Sequence, residues 1–288
     1  MRSSPDRRTP EELLSFGVVN LDKPPGPSAH QVAGWLRDHA GQDRAAHSGT
    51  LDPKVTGCLP TLLGTGVRLA QLFDDAVKEY VAVLELHGRT PADLESVIAE
   101  FEGEIYQKPP RKSAVSRRLR VREIHELDVI ETDERRALLR IRCASGTYIR
   151  KLCHDIGLAV GTGAHMGDLR RTATATFDDT TLATIHEFHD AVTEWREHGD
   201  ETWLREVVQP AERVLRDVPR VTVAESAVPE IAEGAPVYAP GVLASEASEE
   251  GTLVACDAPN GSVVCIGTLV GDPAATSGTV VELERVLL

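Results

Sequence analysis

The sequence has no apolar run approaching the roughly 18 residues that a membrane-spanning helix needs. A membrane location is therefore not expected. Residues Met1 to Arg8 (MRSSPDRR) carry charges with no apolar stretch behind them, which is not the pattern of a secretory signal. Cysteine is sparse: five in 288 residues, at Cys58, Cys143, Cys153, Cys256 and Cys265. The number is odd and no two are spaced as a CxxC pair, which argues against a disulfide framework or a zinc site and for reduced thiols in a cytoplasm. Two enzyme signatures are missing as well. Gly64-Thr-Gly66 lacks the Lys-Ser or Lys-Thr ending of a phosphate loop, and no G-x-S-x-G nucleophile elbow occurs.

Lysine is scarce too. The 31 basic residues divide into 25 Arg and 6 Lys, against 45 acidic residues and a formal net charge of −14. An acidic surface poor in Lys points to a protein kept soluble in concentrated salt, where self-repulsion is screened. A charge of −14 also argues against a polyanionic partner, until its distribution is considered. Residues 1–173 hold 25 basic and 24 acidic side chains, net +1, whereas residues 174–288 hold 6 and 21, net −15. Within the first part, residues 105–122 carry Lys108, Arg111, Lys112, Arg117, Arg118, Arg120 and Arg122 with no acid. Alone, such a run is read as a solvated loop or strand face.

With hydrophobic residues at 41% and charged residues at 26%, the composition is that of a globular protein, and 288 residues exceed the usual size of one hydrophobic core. The run Phe16 to Leu21 predicts a buried strand, closed by the stiff turn Asp22 to Pro27. Ser28 with Gln31 forms a capping box ahead of Val32, Trp35 and Leu36, predicting a helix over 28–40. Residues 43–58 are expected to be a loop between helices, and 59–73 a partly helical apolar segment. Alternation predicts strands at 78–87, 121–131 and 137–144. Thr90-Pro91 is expected to open a helix reaching about Glu102, and a further helix is expected at 147–159, with Ile149, Leu152 and Ile156 on one face. Thr181 to Leu215 reads as helical and acidic. Beyond it, short Val-rich runs broken by Gly and Pro indicate a β-barrel or sandwich of roughly 70 residues. The mixture lacks regular βαβ alternation, so the class is α+β.

The densest segment is His47 to Gly57 (HSGTLDPKVTG). Asp52 before Pro53 is an ordinary turn aspartate when read alone. Its Gly-bracketed loop could instead hold a carboxylate in fixed geometry, with Arg150 as the partner that keeps it ionised and oriented.

Six blocks then occur in order: Gly17 to Pro27, His47 to Gly57, Lys78 to Val81, Gln107 to Pro110 with the basic run after it, Gly146 to Arg150, and His165 to Thr172. Together they make the chain resemble the TruB/dyskerin family of RNA pseudouridine synthases, most closely the archaeal catalytic subunits of H/ACA guide-RNA particles. Gly234 to Val242 is similar to part of the PUA domain that such members carry.

The resemblance implies an N-terminal extension at 1–15, a catalytic domain at 16–215 built on a mixed, mainly antiparallel central sheet, a thumb-like basic loop at 106–122, and a β-barrel PUA domain at 219–288. It implies isomerisation of uridine to pseudouridine in a tRNA T-loop and, directed by guide RNA with accessory H/ACA proteins, in ribosomal RNA. No cofactor or metal is implied, because every atom of the uridine is kept.

By the same resemblance Asp52 is the catalytic carboxylate, Arg150 its partner and Tyr80 the ring that stacks on uracil. Leu169 is the apolar wall of the pocket. His47, Tyr148, Lys23, Arg117 and Arg118 are substrate-side candidates. Taken singly, Tyr80 and Tyr148 are half-buried aromatics and Leu169 is core; their joint arrival in matching blocks reverses that, while Arg150, whose rival reading is a helix-surface arginine, keeps its pairing role even alone. Ala46 and Ala173 depart from the family pattern near the RNA face, and the chain stops at Leu288 without a basic tail. The rival readings are a non-catalytic RNA-binding scaffold of the same fold and an acidic partner-binding protein. Retention of Asp52, Tyr80, Arg150 and Leu169 together speaks against the first, and the basic run against the second.

Overall fold

The computed structural model describes residues 1–109, 116 and 118–288. Ten strands make a first sheet: β1 (Gly17–Lys23), β2 (Ala45–His47), β3 (Thr56–Leu63), β4 (Lys78–Leu86), β5 (Gly103–Gln107), β6 (Arg120–Thr132), β7 (Arg136–Cys143), β8 (Ala164–Thr174), β9 (Phe177–Asp178) and β10 (Val208–Pro210). Their order is β10-β1-β3-β8-β4-β7-β6-β5, with β2 on β3 and β9 on β8. Every neighbouring pair is antiparallel except β3 with β8. The sheet is thus mixed and mainly antiparallel, as expected.

Helices α1 (Pro10–Ser15), α2 (Ala29–Ala40), α3 (Leu94–Ala99), α4 (Ile149–Val160), α5 (Ile185–His198) and α6 (Thr202–Val207) accompany it. The capping box of Ser28 and Gln31 opens α2, and Gly41 closes it in the left-handed conformation. Ile149, Leu152 and Ile156 are buried on α4 and join the main core cluster with Tyr80, Ala82 and Leu84 of β4.

Five expectations need correction. The loop expected at 43–58 contains β2 and the start of β3, and the apolar segment expected to be partly helical at 59–73 is mostly strand β3 followed by a 3-10 turn at Gly64–Phe73. A short apolar run buried on both faces has no periodicity that separates strand from helix. The helix expected from Thr90-Pro91 begins only at Leu94 and ends at Ala99. The helical stretch expected at 181–215 also includes β10, which pairs with β1. The basic segment 106–122 is not wholly loop, since β5 runs to Gln107 and β6 starts at Arg120. Arg111, Lys112 and Arg117 lie outside the described residues.

A second sheet holds β11 (Arg220–Val223), β12 (Val237–Tyr238), β13 (Val242–Ser245), β14 (Leu253–Asp257), β15 (Val263–Leu269) and β16 (Thr279–Val286), in the order β12-β16-β15-β14-β11-β13, with the short helix α7 (Val228–Ala232). The two lobes share one apolar seam: Phe16, Val18, Leu62 and Leu69 from the first pack with Ala255, Val263, Ile266 and Leu287 from the second. Arg8 is buried in this seam and donates to both carboxylate oxygens of Glu212, at 2.7 and 2.5 Å. Arg2 lies over the Phe16 ring and donates to the carbonyls of Leu287 and Val263. Residues 1–15 therefore fasten the lobes together. No helix among the described residues is long and apolar enough to cross a membrane.

Candidate active site

The loop from Ser48 to Val55 leaves β2 and enters β3. It is held by backbone bonds at both ends: Ser48 N–H donates to Pro60 O (2.9 Å), Gly26 N–H to Pro53 O (2.8 Å) and Val55 N–H to Asp52 O (3.0 Å). Beneath it lies Lys23, the last residue of β1, with 0% exposure. Its ammonium donates to the carbonyls of Pro24 (2.9 Å), Pro53 (2.9 Å) and Val55 (2.8 Å). All three protons are satisfied, so the cation ties the turn after β1 to both sides of Asp52. Burial lowers the Lys23 pKa, while the nearby Asp52 charge raises it. At the end of the loop Gly57 (φ +96°) crosses β8, where an added Cβ would lie 2.2 Å from the Arg171 carbonyl. Only glycine allows the two strands this approach.

Asp52 stands at the mouth of the site, 54% exposed, and Arg150 faces it at 59%. Arg150 is the second residue of α4, and its Nη2 donates to Asp52 Oδ2. The two residues that the sequence could only nominate as partners are thus an ion pair. The guanidinium fixes the direction of the carboxylate and leaves its other oxygen open to a ligand.

Behind the pair, Tyr80 of β4 sits opposite Arg171 of β8, and Ala82 sits opposite Leu169. Cross-strand partners share a face, so Tyr80, Leu169 and Arg171 form one wall. Tyr80 is buried and its phenol is pushed up by that burial, with the Arg171 charge acting the other way. Leu169 is half-buried against the main core. Arg171 is 1% exposed; it donates from Nε to Cys58 O (2.7 Å) and from Nη2 to Ser48 Oγ (3.0 Å). It therefore connects the Asp52 loop, β3 and Tyr80.

His47 ends β2 beside this cluster, and its pKa is lowered first by burial and then by Arg171, which keeps the imidazole neutral at pH 7. Lys78, at the start of β4, donates to Phe73 O, Ala76 O and Ser145 Oγ, and burial lowers its pKa to about 8. Tyr148 is half-buried at the residue before α4. Arg118 is exposed near the start of β6.

The structure therefore gathers Asp52, Arg150 and Lys23 at the loop, and Tyr80, Leu169 and His47 around Arg171. Sequence reasoning missed Arg171 as a site residue. Its position in the block His165 to Thr172 was visible, but nothing in that block marks one of two consecutive arginines as buried. Among the described residues no three His, Cys, Asp or Glu side chains are grouped so as to hold a metal ion.

Comparison with known proteins agrees with this architecture. Residues 37–96 and 88–149 match the family model described as TruB family pseudouridylate synthase (N terminal domain), and residues 150–216 match the tRNA pseudouridylate synthase B C-terminal domain. Residues 2–33 match the DKCLD (NUC011) domain and 219–286 the PUA domain. A probable tRNA pseudouridine synthase B of Haloarcula marismortui is 64% identical, over 100% of this chain and 94% of the relative. One of Halobacterium salinarum is 59% identical, over 100% and 99%. Among solved structures, a Cbf5-Nop10-Gar1 complex matches with a TM-score of 0.90 and 41% identity, covering 99% of this chain and 89% of that one. An H/ACA RNP bound to a substrate RNA containing 2'-deoxyuridine matches with a TM-score of 0.90 and 39% identity, covering 100% and 90%.

Proposed function

The chain belongs to the TruB family of pseudouridylate synthases, and from that membership we propose that it isomerises uridine to pseudouridine in RNA, with Asp52 as the reacting carboxylate. The observation that carries this reading is the Asp52–Arg150 ion pair on a loop pinned by Lys23. The reaction breaks the bond from C1′ to N1, turns the freed uracil and joins C1′ to C5. The C5 proton leaves and N1 gains one, so the base keeps its composition. Asp52 can attack C1′, stabilise the developing cation or take the C2′ proton. Arg150 keeps the carboxylate aimed for any of the three. Tyr80 offers the ring on which the detached uracil stacks, Leu169 closes the pocket's apolar side, and Arg171 holds Tyr80 and the loop to a common floor. His47 and Tyr148, with Arg117 and Arg118 of the basic run, serve the RNA around a target base that must leave its stack before Asp52 can reach it.

The substrates that fit are a tRNA T-loop without a guide and ribosomal RNA with an H/ACA guide RNA. The similarity to Cbf5 in complexes with Nop10 and Gar1 supports partners of those two kinds. A cytoplasmic location in a salt-adapted archaeon goes with the relatives from Haloarcula and Halobacterium. The second lobe, with 2 basic and 10 acidic residues over 220–288, would grip RNA by shape, backbone donors and hydroxyl contacts, with salt masking repulsion.

The test incubates the protein and an Asp52→Asn variant with a tRNA transcript in molar salt, alone and with guide RNA and accessory proteins, and counts pseudouridine. Product from the native chain and none from the variant is expected. Product from the variant would remove Asp52 from the chemistry. None from either in any mixture would favour the non-catalytic scaffold.

A further inference from the structure

Gln107 is the last residue of β5 and is 1% exposed. Its carboxamide is spent on one backbone unit: Oε1 accepts the N–H of Tyr148 (2.8 Å) and Nε2 donates to the C=O of Tyr148 (3.2 Å). A side chain here imitates the paired bonds of a β-bridge on a residue outside any strand. Tyr148 is the residue from which α4 starts. Its extended backbone carries no side-chain cap, and its carbonyl also accepts from Lys151 and Leu152, both at 3.0 Å. The neighbouring strand grips the same turn. Arg122 of β6 packs its guanidinium on Gly146, where a Cβ would come within 3.1 Å of it, and Ala144 N–H donates to Glu123 O (2.9 Å).

Arg150 follows Tyr148 by two residues. Among the described residues its guanidinium makes a hydrogen bond to Asp52 alone. Its aim is consequently set by the frame of the first turn of α4, not by a cage of neighbours. We propose that Gln107 is a positioning residue for the Asp52–Arg150 pair, fixing the helix start from which Arg150 reaches the carboxylate. This rests on the reading of Asp52 given above, and it gives the block Gln107 to Pro110 a role in the rate of the reaction as well as in the fold. Misplacement of a reacting group by about 1 Å can cost on the order of a hundredfold in rate. A helix start that loosens without melting should cost about tenfold.

Two substitutions test it. Gln107→Met keeps the volume and removes both bonds. Gln107→Glu is conditional: a protonated carboxyl has one donor and one acceptor, as the carboxamide does, whereas the ionised form can only accept. Burial raises the pKa of the introduced carboxyl. Single-turnover pseudouridine formation at saturating tRNA is measured from about pH 8 down to about pH 5.5, with the RNA dissociation constant and circular dichroism measured in parallel. Gln107→Met is expected to be about tenfold slow at every pH with RNA affinity within about twofold and a native spectrum. Gln107→Glu should match it at high pH and recover toward the native rate as pH falls, each rate being divided by that of the unsubstituted protein. A native saturated rate in Gln107→Met, a loss lying wholly in RNA affinity or in folding, or a ratio of the two variants that stays flat with pH would each overturn the proposal. A native chain that makes no pseudouridine, or an active Asp52→Asn, would overturn the reading of the site itself and this inference with it.

Discussion

Replacing Lys23 by Met should show how far the Asp52 loop depends on a single buried cation. The substitution keeps the length of the side chain but leaves the carbonyls of Pro24, Pro53 and Val55 without their donors, at sites where Lys23 has 0% exposure. Hydrogen bonds to a charged group contribute about 1.5–3 kcal/mol each, so three lost bonds remove roughly 5–9 kcal/mol. Against this, the ammonium's desolvation cost, several kcal/mol, is recovered. The net destabilisation is about 2–4 kcal/mol, and for a chain of this size it lowers Tm by about 3–7 °C. The loss in rate should exceed what unfolding explains, because Pro53 and Val55 flank Asp52 and their drift carries the carboxylate away from Arg150. Calorimetry in molar KCl together with single-turnover pseudouridine formation, both below the variant's melting range, separates the two effects. A Tm within about 2 °C of the native value and a rate within about twofold would mean that the loop is held by its backbone bonds alone.

Glu212→Ala should cost about 3–5 kcal/mol, because it strands the buried Arg8 guanidinium in the seam between the lobes; a denaturant midpoint shift worth less than about 1 kcal/mol would show that water reaches Arg8. Lys78 has a folded pKa of about 8, below its unfolded value of 10.5. The unfolded chain thus binds the extra proton between those values, and this group's contribution makes stability rise with pH across that window. In Lys78→Met that rise should be absent, as followed by Tm between about pH 7.5 and 10.5. The −14 charge predicts a Tm that climbs as KCl is raised into the molar range. A protein folded and fully active at low ionic strength, and inhibited by molar salt, would contradict salt adaptation.

Strands with one wet face were legible: β4 alternates buried and half-buried along all nine residues, and β6 and β7 lie where their alternation places them. The middle of the sheet was not. β3 has Pro60 at its centre, which ordinarily argues against a central strand. Pro60 still takes part in the pairing through its carbonyl, which accepts the Ser48 N–H. β8 went unread because its side chains answer to pairing, not to an apolar face: Arg170 binds Asp22 (2.9 Å), Arg171 binds Cys58 O and Ser48 Oγ, and Thr172 binds Glu79 (2.8 Å). A strand lined with polar pairs has no hydrophobic period to detect. The same property hid Arg171 from the site, and 98 residues of chain separate Asp52 from Arg150, so no local pattern joins the two: the residues could only nominate the pair, and resemblance to a family strengthened it.

The scarcity of lysine takes a different meaning once these positions are known. Of the six lysines, Lys23 and Lys78 are buried, and each places its ammonium among three oxygens. A lysine presents three donors from one atom toward acceptors on different sides, while a planar guanidinium spreads five donors along a fork. Where the acceptor is a carboxylate at a seam the chain uses arginine, as in Arg8 with Glu212 and in Arg220 with Asp257, whose two oxygens both lie 3.0 Å from Nη1. Where it is a cluster of carbonyls around a turn, lysine is kept. Thinning of lysine, on this account, acted on the solvent-facing positions and spared those where three-way donation holds a loop. Lys23→Arg should then fail to restore the Asp52 loop although it conserves charge, with a Tm and a rate nearer to those of Lys23→Met than to the native values. A native-like Lys23→Arg would mean that charge alone, and not the geometry of donation, is what the loop requires.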